Sequence, residues 1–228
     1  MKTLFCIGIA LGAGLTLHAQ EAAPQPTVPP GPLLNKAPAL AQWTVTIKSA
    51  GETPAASPAP GEKGEKPQPP AGNERIGVVQ TGNIRHEVRV RGTQVTSDAW
   101  SVDGTYITVD PSTKVARVSA GGGASTQDFP EIAWVSAKNF SGIQDVSGKK
   151  CIVFKDKLET YADSGEKIDA VAYVDLETRL PVAMQKGDVY TYQFGAPPQA
   201  PLTPPQNIAE ALEKYRKRLQ RAGATPIP

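Results

Sequence analysis

Side chains able to ligate a metal, take a proton or act as a nucleophile are scarce here: the 228-residue chain has two histidines, His18 and His86, and two cysteines, Cys6 and Cys151. One of each lies in the opening stretch MKTLFCIGIALGAGLTLHA. There Lys2 supplies a basic start, an apolar run follows, and Leu17-His18-Ala19 offers small-residue cleavage before Gln20, the order of features in a secretory signal peptide. Cleavage between Ala19 and Gln20 would remove Cys6 and His18. Cys6 precedes most of the apolar run, whereas a lipid-bearing cysteine would follow it. The expected mature chain therefore carries His86 and Cys151 alone. One imidazole cannot build a histidine metal site, and one thiol builds neither a zinc cage nor an internal disulfide.

His86 is the base that a serine triad would have to use, but it sits in Asn83-Ile84-Arg85-His86-Glu87-Val88-Arg89-Val90-Arg91, whose alternation reads as a strand. Cys151 opens the apolar run Cys151-Ile152-Val153-Phe154. Lys149 and Lys150 stand just before it and would favour a thiolate, against the plainer reading of a small buried residue. Asp169 and Asp175 share one face of an alternating stretch, and two carboxylates are all that a glycosidase needs. Paired acids on a solvent face are the ordinary alternative. No catalytic residue, metal site or cofactor site is assigned, and the chain is expected not to be an enzyme.

Charge excludes one further class. Lys and Arg number 24 against 22 Asp and Glu, so loss of Lys2 leaves 23 against 22, and nucleic acid is not an expected partner. Arg85, Arg89 and Arg91 share a strand face with Glu87. They are expected to be solvated, with an anion site as the alternative.

The elements that must position these residues are mostly strands. Residues 20–39 are rich in proline and are expected to form an unstructured leader. Trp43, Val45 and Ile47 alternate with Thr44, Thr46 and Lys48, which predicts a half-buried strand over 42–49, with 84–91 as a neighbour able to pair with it. A second low-complexity tract, 51–73, reads as a disordered loop within a β-rich domain spanning 40–205. Further strands are expected at 75–80, 84–91, 99–102, 106–109, 113–118, 143–146, 151–155, 160–162, 168–175, 182–186 and 189–194, separated by turn residues such as Asp103-Gly104 and Gly187-Asp188. The stretch 128–140 reads equally as a short helix or a loop. A helix follows over 206–223, with Asn207 as N-cap, Ile208, Leu212, Tyr215 and Leu219 as an apolar stripe, and Gly223 as terminator. The stripe is expected to dock on the sheet; a partner groove and an anionic membrane surface are the alternatives. No apolar stretch beyond the leader is long enough to span a membrane.

Two segments carry a family resemblance. Asp103-Gly104-Thr105-Tyr106-Ile107-Thr108-Val109-Asp110-Pro111, with Val115-Ala116-Arg117-Val118 after it, resembles a hairpin of the LolA/LppX-like periplasmic lipoprotein-carrier superfamily. Ala172-Tyr173-Val174-Asp175-Leu176-Glu177-Thr178-Arg179-Leu180-Pro181-Val182 is similar to that superfamily's late strand and acidic turn. Both are turn chemistries, and neither supplies a site residue. The resemblance implies a mainly β fold, a curved antiparallel meander forming a half-barrel or incomplete barrel whose concave face is covered by helix or loop; the C-terminal α-helix completes the expected fold. Its concave apolar face would receive acyl chains.

The expected function is accordingly that of an exported, periplasmic or extracellular binding protein of the bacterial envelope, holding a lipid or other apolar ligand. Trp43, Tyr106, Phe154 and Phe194 are available to line its cavity, although any β core uses the same residues. The alternative is a structural or interaction protein that meets an envelope protein through its proline-rich tracts and its C-terminal helix.

Overall fold

A computed structural model of the chain describes residues 27–49, 73–119, 128–160 and 165–223. The leader 1–19, the cleavage site at Ala19 and Gln20, and nearly all of the tract 51–73 lie outside these residues.

Eleven antiparallel strands form one open, curved sheet: β1 (Leu40–Lys48), β2 (Glu74–Thr81), β3 (Ile84–Arg91), β4 (Gln94–Val102), β5 (Thr105–Val109), β6 (Ala116–Ser119), β7 (Phe140–Val146), β8 (Lys149–Glu159), β9 (Lys167–Asp175), β10 (Pro181–Lys186) and β11 (Asp188–Phe194). Their spatial order is β6-β5-β4-β3-β2-β1-β11-β10-β9-β8-β7. The sheet is thus two meanders joined at its centre, where β1 pairs with β2 on one side and β11 on the other. The expected pairing of the first strand with 84–91 does not occur. Instead β2 lies between them, because the short turn at Gly82-Asn83 forces β3 to fold back on β2.

Tight turns set the register. Asp103 and Gly104 both have positive φ (48° and 76°), as do Ser147 and Gly148 (51° and 80°). Two consecutive residues of that hand make a turn whose twist matches the flanking strands. At the β9–β10 turn, the Asp175 carboxylate accepts from the amides of Glu177 and Thr178, both at 2.9 Å.

Apolar side chains lie on both faces of the sheet, in different halves. The larger core is on the inner face, where Trp43, Val45, Ile76, Val78, Ile152, Phe154, Ala172, Val174, Met184 and Tyr192 pack with Phe129 and Ile132. β2 and β8 are five places apart in the sheet, so their side chains share this cluster through the curvature and the intervening segment. The smaller core is on the outer face. Trp100, Val102, Ile107 and Val109 receive Ile208 and Leu212 of α1 (Gln206–Arg221), the one α-helix among the described residues.

The helix therefore docks on its own sheet, as its stripe predicts. Its start differs from expectation: Pro205 occupies the N-cap position, and the Asn207 side-chain amide donates to the Lys114 carbonyl at 3.1 Å. Asn207 thus ties the helix to the β5–β6 turn instead of capping it. Gly223, at φ 66°, follows the last turn.

The proline-rich stretch expected to be unstructured is ordered over 27–39. The Asn35 amide donates to the Arg179 carbonyl at 2.8 Å, the Ala37 amide to Asp128 Oδ2 at 2.8 Å, and Leu33 and Leu34 pack against the inner core. Composition misled here because a few well-placed leucines outweigh a proline-rich background once a core edge is available to cover. Strand 151–155 is longer than expected, running from Lys149 to Glu159; Thr160 falls beyond it, and 161–162 lie outside the described residues.

Candidate functional site on the inner face

Directly paired residues of antiparallel strands project to the same face, so the register defines what the inner face presents. One row runs Phe194, Trp43, Val78, Glu87, Ala99, Thr108. The next runs Tyr192, Val45, Ile76, Arg89. The face is apolar from β8 through β2 and polar from β3 to β6, and the change falls between Val78 and Glu87.

The β3 charges, expected on a solvated strand face, share the inner face with Trp43 and are solvated unevenly: the Arg91 and Arg89 side chains are 62% and 41% exposed, that of Arg85 20%. Arg85, Glu87, Arg89 and Arg91 point to the same side as Trp43 and are held in ion pairs. Arg85 reaches Glu87 at 3.2 Å and Asp128 at 3.5 Å, and its guanidinium lies 5.2 Å from the Trp43 ring centroid. Arg89 and Arg91 both meet Glu74, at 3.2 and 3.0 Å. Alternation in the sequence identifies which residues share a face. It does not say which face is inner, and β3 carries apolar Ile84 on the other one.

Topology explains what covers the apolar half. β6 and β7 are opposite edges, so the chain between Ser119 and Phe140 must travel the width of the sheet. The described part of that connection, the undecided stretch 128–140, runs from beside Trp43 at the sheet centre to β7 and contains two 3-10 turns, Pro130–Ile132 and Ala137–Asn139. Phe129 sets its ring edge-on to Trp43, Tyr192 and Phe194, with centroids 5.7, 6.0 and 6.0 Å away, and Ile132 is fully buried.

Polar bonds hold this cover at its ends. Tyr192 donates its hydroxyl to Glu131 Oε2 at 3.1 Å, and Asp128 meets Arg85 and the Ala37 amide. Burial, with the Glu131 carboxylate beside it, pushes the Tyr192 hydroxyl far above the usual tyrosine range, so it stays a donor. Burial also raises Tyr190, with Asp188 and Glu131 adding to it. Beside the cover a cleft of about 500 Å³ opens between Trp134 and Pro130 on one side and Leu158, Met184 and Tyr190 on the other, with Glu131 and Lys186 at its rim.

Of the residues expected to line a cavity, Trp43, Phe154 and Phe194 come together in the inner core. Trp43 stacks on Phe194 at 5.8 Å between centroids, and Phe154 is fully buried against Phe140. Here they fill the core beneath the cover. Tyr106 stands apart on β5 in the polar half of the same face, where burial and the neighbouring Glu87 raise its hydroxyl. Sequence reasoning passed over Phe129, Glu131, Ile132 and Trp134. The available signal was a Phe-Pro-Glu start followed by an apolar residue, since proline suits the first position of a short helical turn.

The remaining candidates for chemistry are dispersed. His86 stacks on Trp100 at 4.1 Å on the outer face, and its Nε2 bonds Asp98 at 3.0 Å. Cys151 is fully buried, and burial followed by the Asp175 charge raises its thiol, outweighing the opposite pull of Lys149. Asp169 is solvent-exposed beside Lys157, whereas Asp175 is a buried turn cap. Six residues of strand put them about 20 Å apart, beyond the roughly 5–9.5 Å separations of glycosidase pairs. Among the described residues no cluster of histidine, cysteine and carboxylate side chains could hold a metal ion. No described helix is long and apolar enough to cross a membrane. Neither the protein-family models nor the curated proteins compared with this chain yield a match.

Proposed function

We propose that this chain is an exported, non-catalytic binding protein of the bacterial cell envelope, periplasmic or extracellular, which holds a lipid-like ligand on the inner face of its sheet. The observation that carries this reading is the way the apolar half is closed: by a short irregular segment, over a core that the sheet alone would leave open. Sheet ladders do not fix that segment. Its polar anchors are the Glu131–Tyr192 bond, the contacts of Asp128, and the Asn139 side-chain amide, which donates to Asp156 on β8 at 2.7 Å. The cleft between Trp134 and Met184 supplies an entrance, and each methylene moved from water into it would contribute about 0.8 kcal/mol. The resemblance of the β4–β6 hairpins and the β9–β10 turn to the lipoprotein-carrier superfamily agrees with this reading.

The alternative, an envelope protein that works through the apolar stripe of its helix, is less favoured because Ile208 and Leu212 are buried against the sheet.

Two measurements test the proposal. The protein purified from its own compartment, extracted with organic solvent, should yield acyl species by mass spectrometry. Delipidated protein should bind dansyl-undecanoate saturably, with energy transfer from tryptophan, and Met184→Lys should weaken that binding. A protein free of acyl species that also fails to bind the probe would overturn the reading.

A further inference from the structure

The helix is seated towards one edge of the sheet, and its flank faces β6, the edge strand among the described residues. Asn207, Glu210, Ala211, Lys214 and Arg218 recur at helical spacing, one stripe round from Ile208 and Leu212, and with β6 they enclose a groove of about 550 Å³. Ala116, Val118 and the half-exposed Val115 give the sheet side of the groove an apolar wall, and Tyr215 contributes from the helix.

Two properties of the groove identify what fits it. The first is the edge. The Asp110 amide donates to the Val115 carbonyl at 3.0 Å, which makes Val115 a hydrogen-bonded pair with β5. Bonding alternates along an antiparallel ladder, so the amides and carbonyls of Ala116 and Val118 point away from β5, along the outer edge of the sheet. The second is charge. Lys114, Lys214 and Arg218 line the groove, and Arg117 projects from β6 to the other face, against a single groove carboxylate, Glu210, which already accepts from Gln206 at 2.8 Å.

We propose that the groove between α1 and β6 docks an extended acidic segment of a partner protein, which joins the sheet as a strand beside β6. Main-chain bonds to Ala116 and Val118 provide the pairing, the apolar side chains of one alternate set enter the groove, and the carboxylates of the other set lie on the opposite face beside Arg117, while Lys114, Lys214 and Arg218 add a positive field at the groove rim. This inference is independent of the inner-face ligand: its surface lies at the edge of the other half of the sheet.

The probe is a short fluorescein-labelled peptide of alternating Glu and Val, capped at both ends and titrated into the full-length protein by anisotropy. It should bind at least about tenfold more tightly than the Lys-Val analogue, and Arg117→Glu with Lys214→Glu should reverse the preference. N-methylation of one alternate set of peptide amides should abolish binding, while methylation of the other set leaves it. Equal effects from the two sets would rule out strand pairing and overturn the proposal. So would absence of binding, or displacement of the peptide by phosphatidylglycerol vesicles, which would mark the patch as a membrane contact.

Discussion

Arg85 sits over the ring of Trp43, its guanidinium carbon 5.2 Å from the ring centroid, at the line where the inner face changes from apolar to charged. The same side chain reaches Asp128 at the root of the covering segment. One arginine therefore links a buried tryptophan of the sheet to the segment that shields it. Replacing Arg85 with Ala should cost about 1–2 kcal/mol, most of it from the cation–ring contact and the freed Asp128. It should also raise acrylamide quenching of tryptophan fluorescence. Arg85→Lys, which keeps the charge but loses the planar fork, should recover only part of the stability lost in Arg85→Ala. Urea unfolding of the three proteins checks this ordering.

Helix docking predicts a large effect of one substitution. Leu212 is buried on the outer face, and Leu212→Asp places a carboxylate there without a partner, costing on the order of several kcal/mol. Leu212→Ala should cost about 2–4 kcal/mol by the cavity it leaves. Thermal unfolding of both variants provides the test, and an unchanged melting temperature in Leu212→Asp would contradict the docked helix.

Tyr106, Tyr190 and Tyr192 all have hydroxyls raised above the ordinary value of 10.0 by burial. Their shared sign fixes the alkaline behaviour. A group whose folded-state pKa is raised contributes its full stability below the unfolded pKa. That contribution is lost as pH climbs from there towards the folded value, because the unfolded chain ionises first. Stability should therefore fall from about pH 10 upward, and Tyr192→Phe should shallow that slope while lowering stability at neutral pH through the unpaired Glu131. Denaturant midpoints across pH 8 to 11, in roughly half-unit steps, measure both effects.

Asp175 gives the opposite sign at acid pH. Burial alone would raise its carboxyl, but the amides of Thr178 and Glu177, the Thr178 hydroxyl and Lys149 together hold it below the usual value. Its stabilisation is present above the unfolded pKa and lost as pH falls through the folded one. Asp175→Asn should remove that acid sensitivity and loosen the β9–β10 turn, where Arg179 has φ 59°. Acid titration by circular dichroism of the two proteins distinguishes them.

Cys151 is fully buried and its thiol is raised. A thiol reagent such as Ellman's should react at the rate of global opening in native buffer and rapidly in guanidinium. Fast native reaction would show that β8 opens locally.

Strand identity was legible in the sequence because alternation reports it locally. Ile84–Arg91 was read to the residue, and Trp43 was placed on the correct side of its strand. Pairing at the sheet centre was not legible, since nothing near Trp43 in the sequence mentions Phe194. The inner position of Arg85 and Arg89 was hidden for the same reason: a charged face next to water and a charged face folded over a core edge have one pattern, and only the ion pairs with Glu74 and Asp128 tell them apart. The cover could not be read because 3-10 turns lack a hydrophobic period. The ordering of 27–39 depends on Arg179 and Asp128, which lie far along the chain.

The joining of the first strand to the last also sets an order of assembly. Each meander is a string of neighbouring hairpins that can form as soon as its own residues are available, whereas the Trp43–Phe194 register needs nearly the whole sequence in hand. Local pairings close early and the distant seam closes late. Until β11 arrives, β1 and β10 are both bare edges in the interior of the future sheet, so an interrupted chain is two sticky ribbons and not a smaller version of the protein. The seam at β1 and β11 is where folding of this chain is completed.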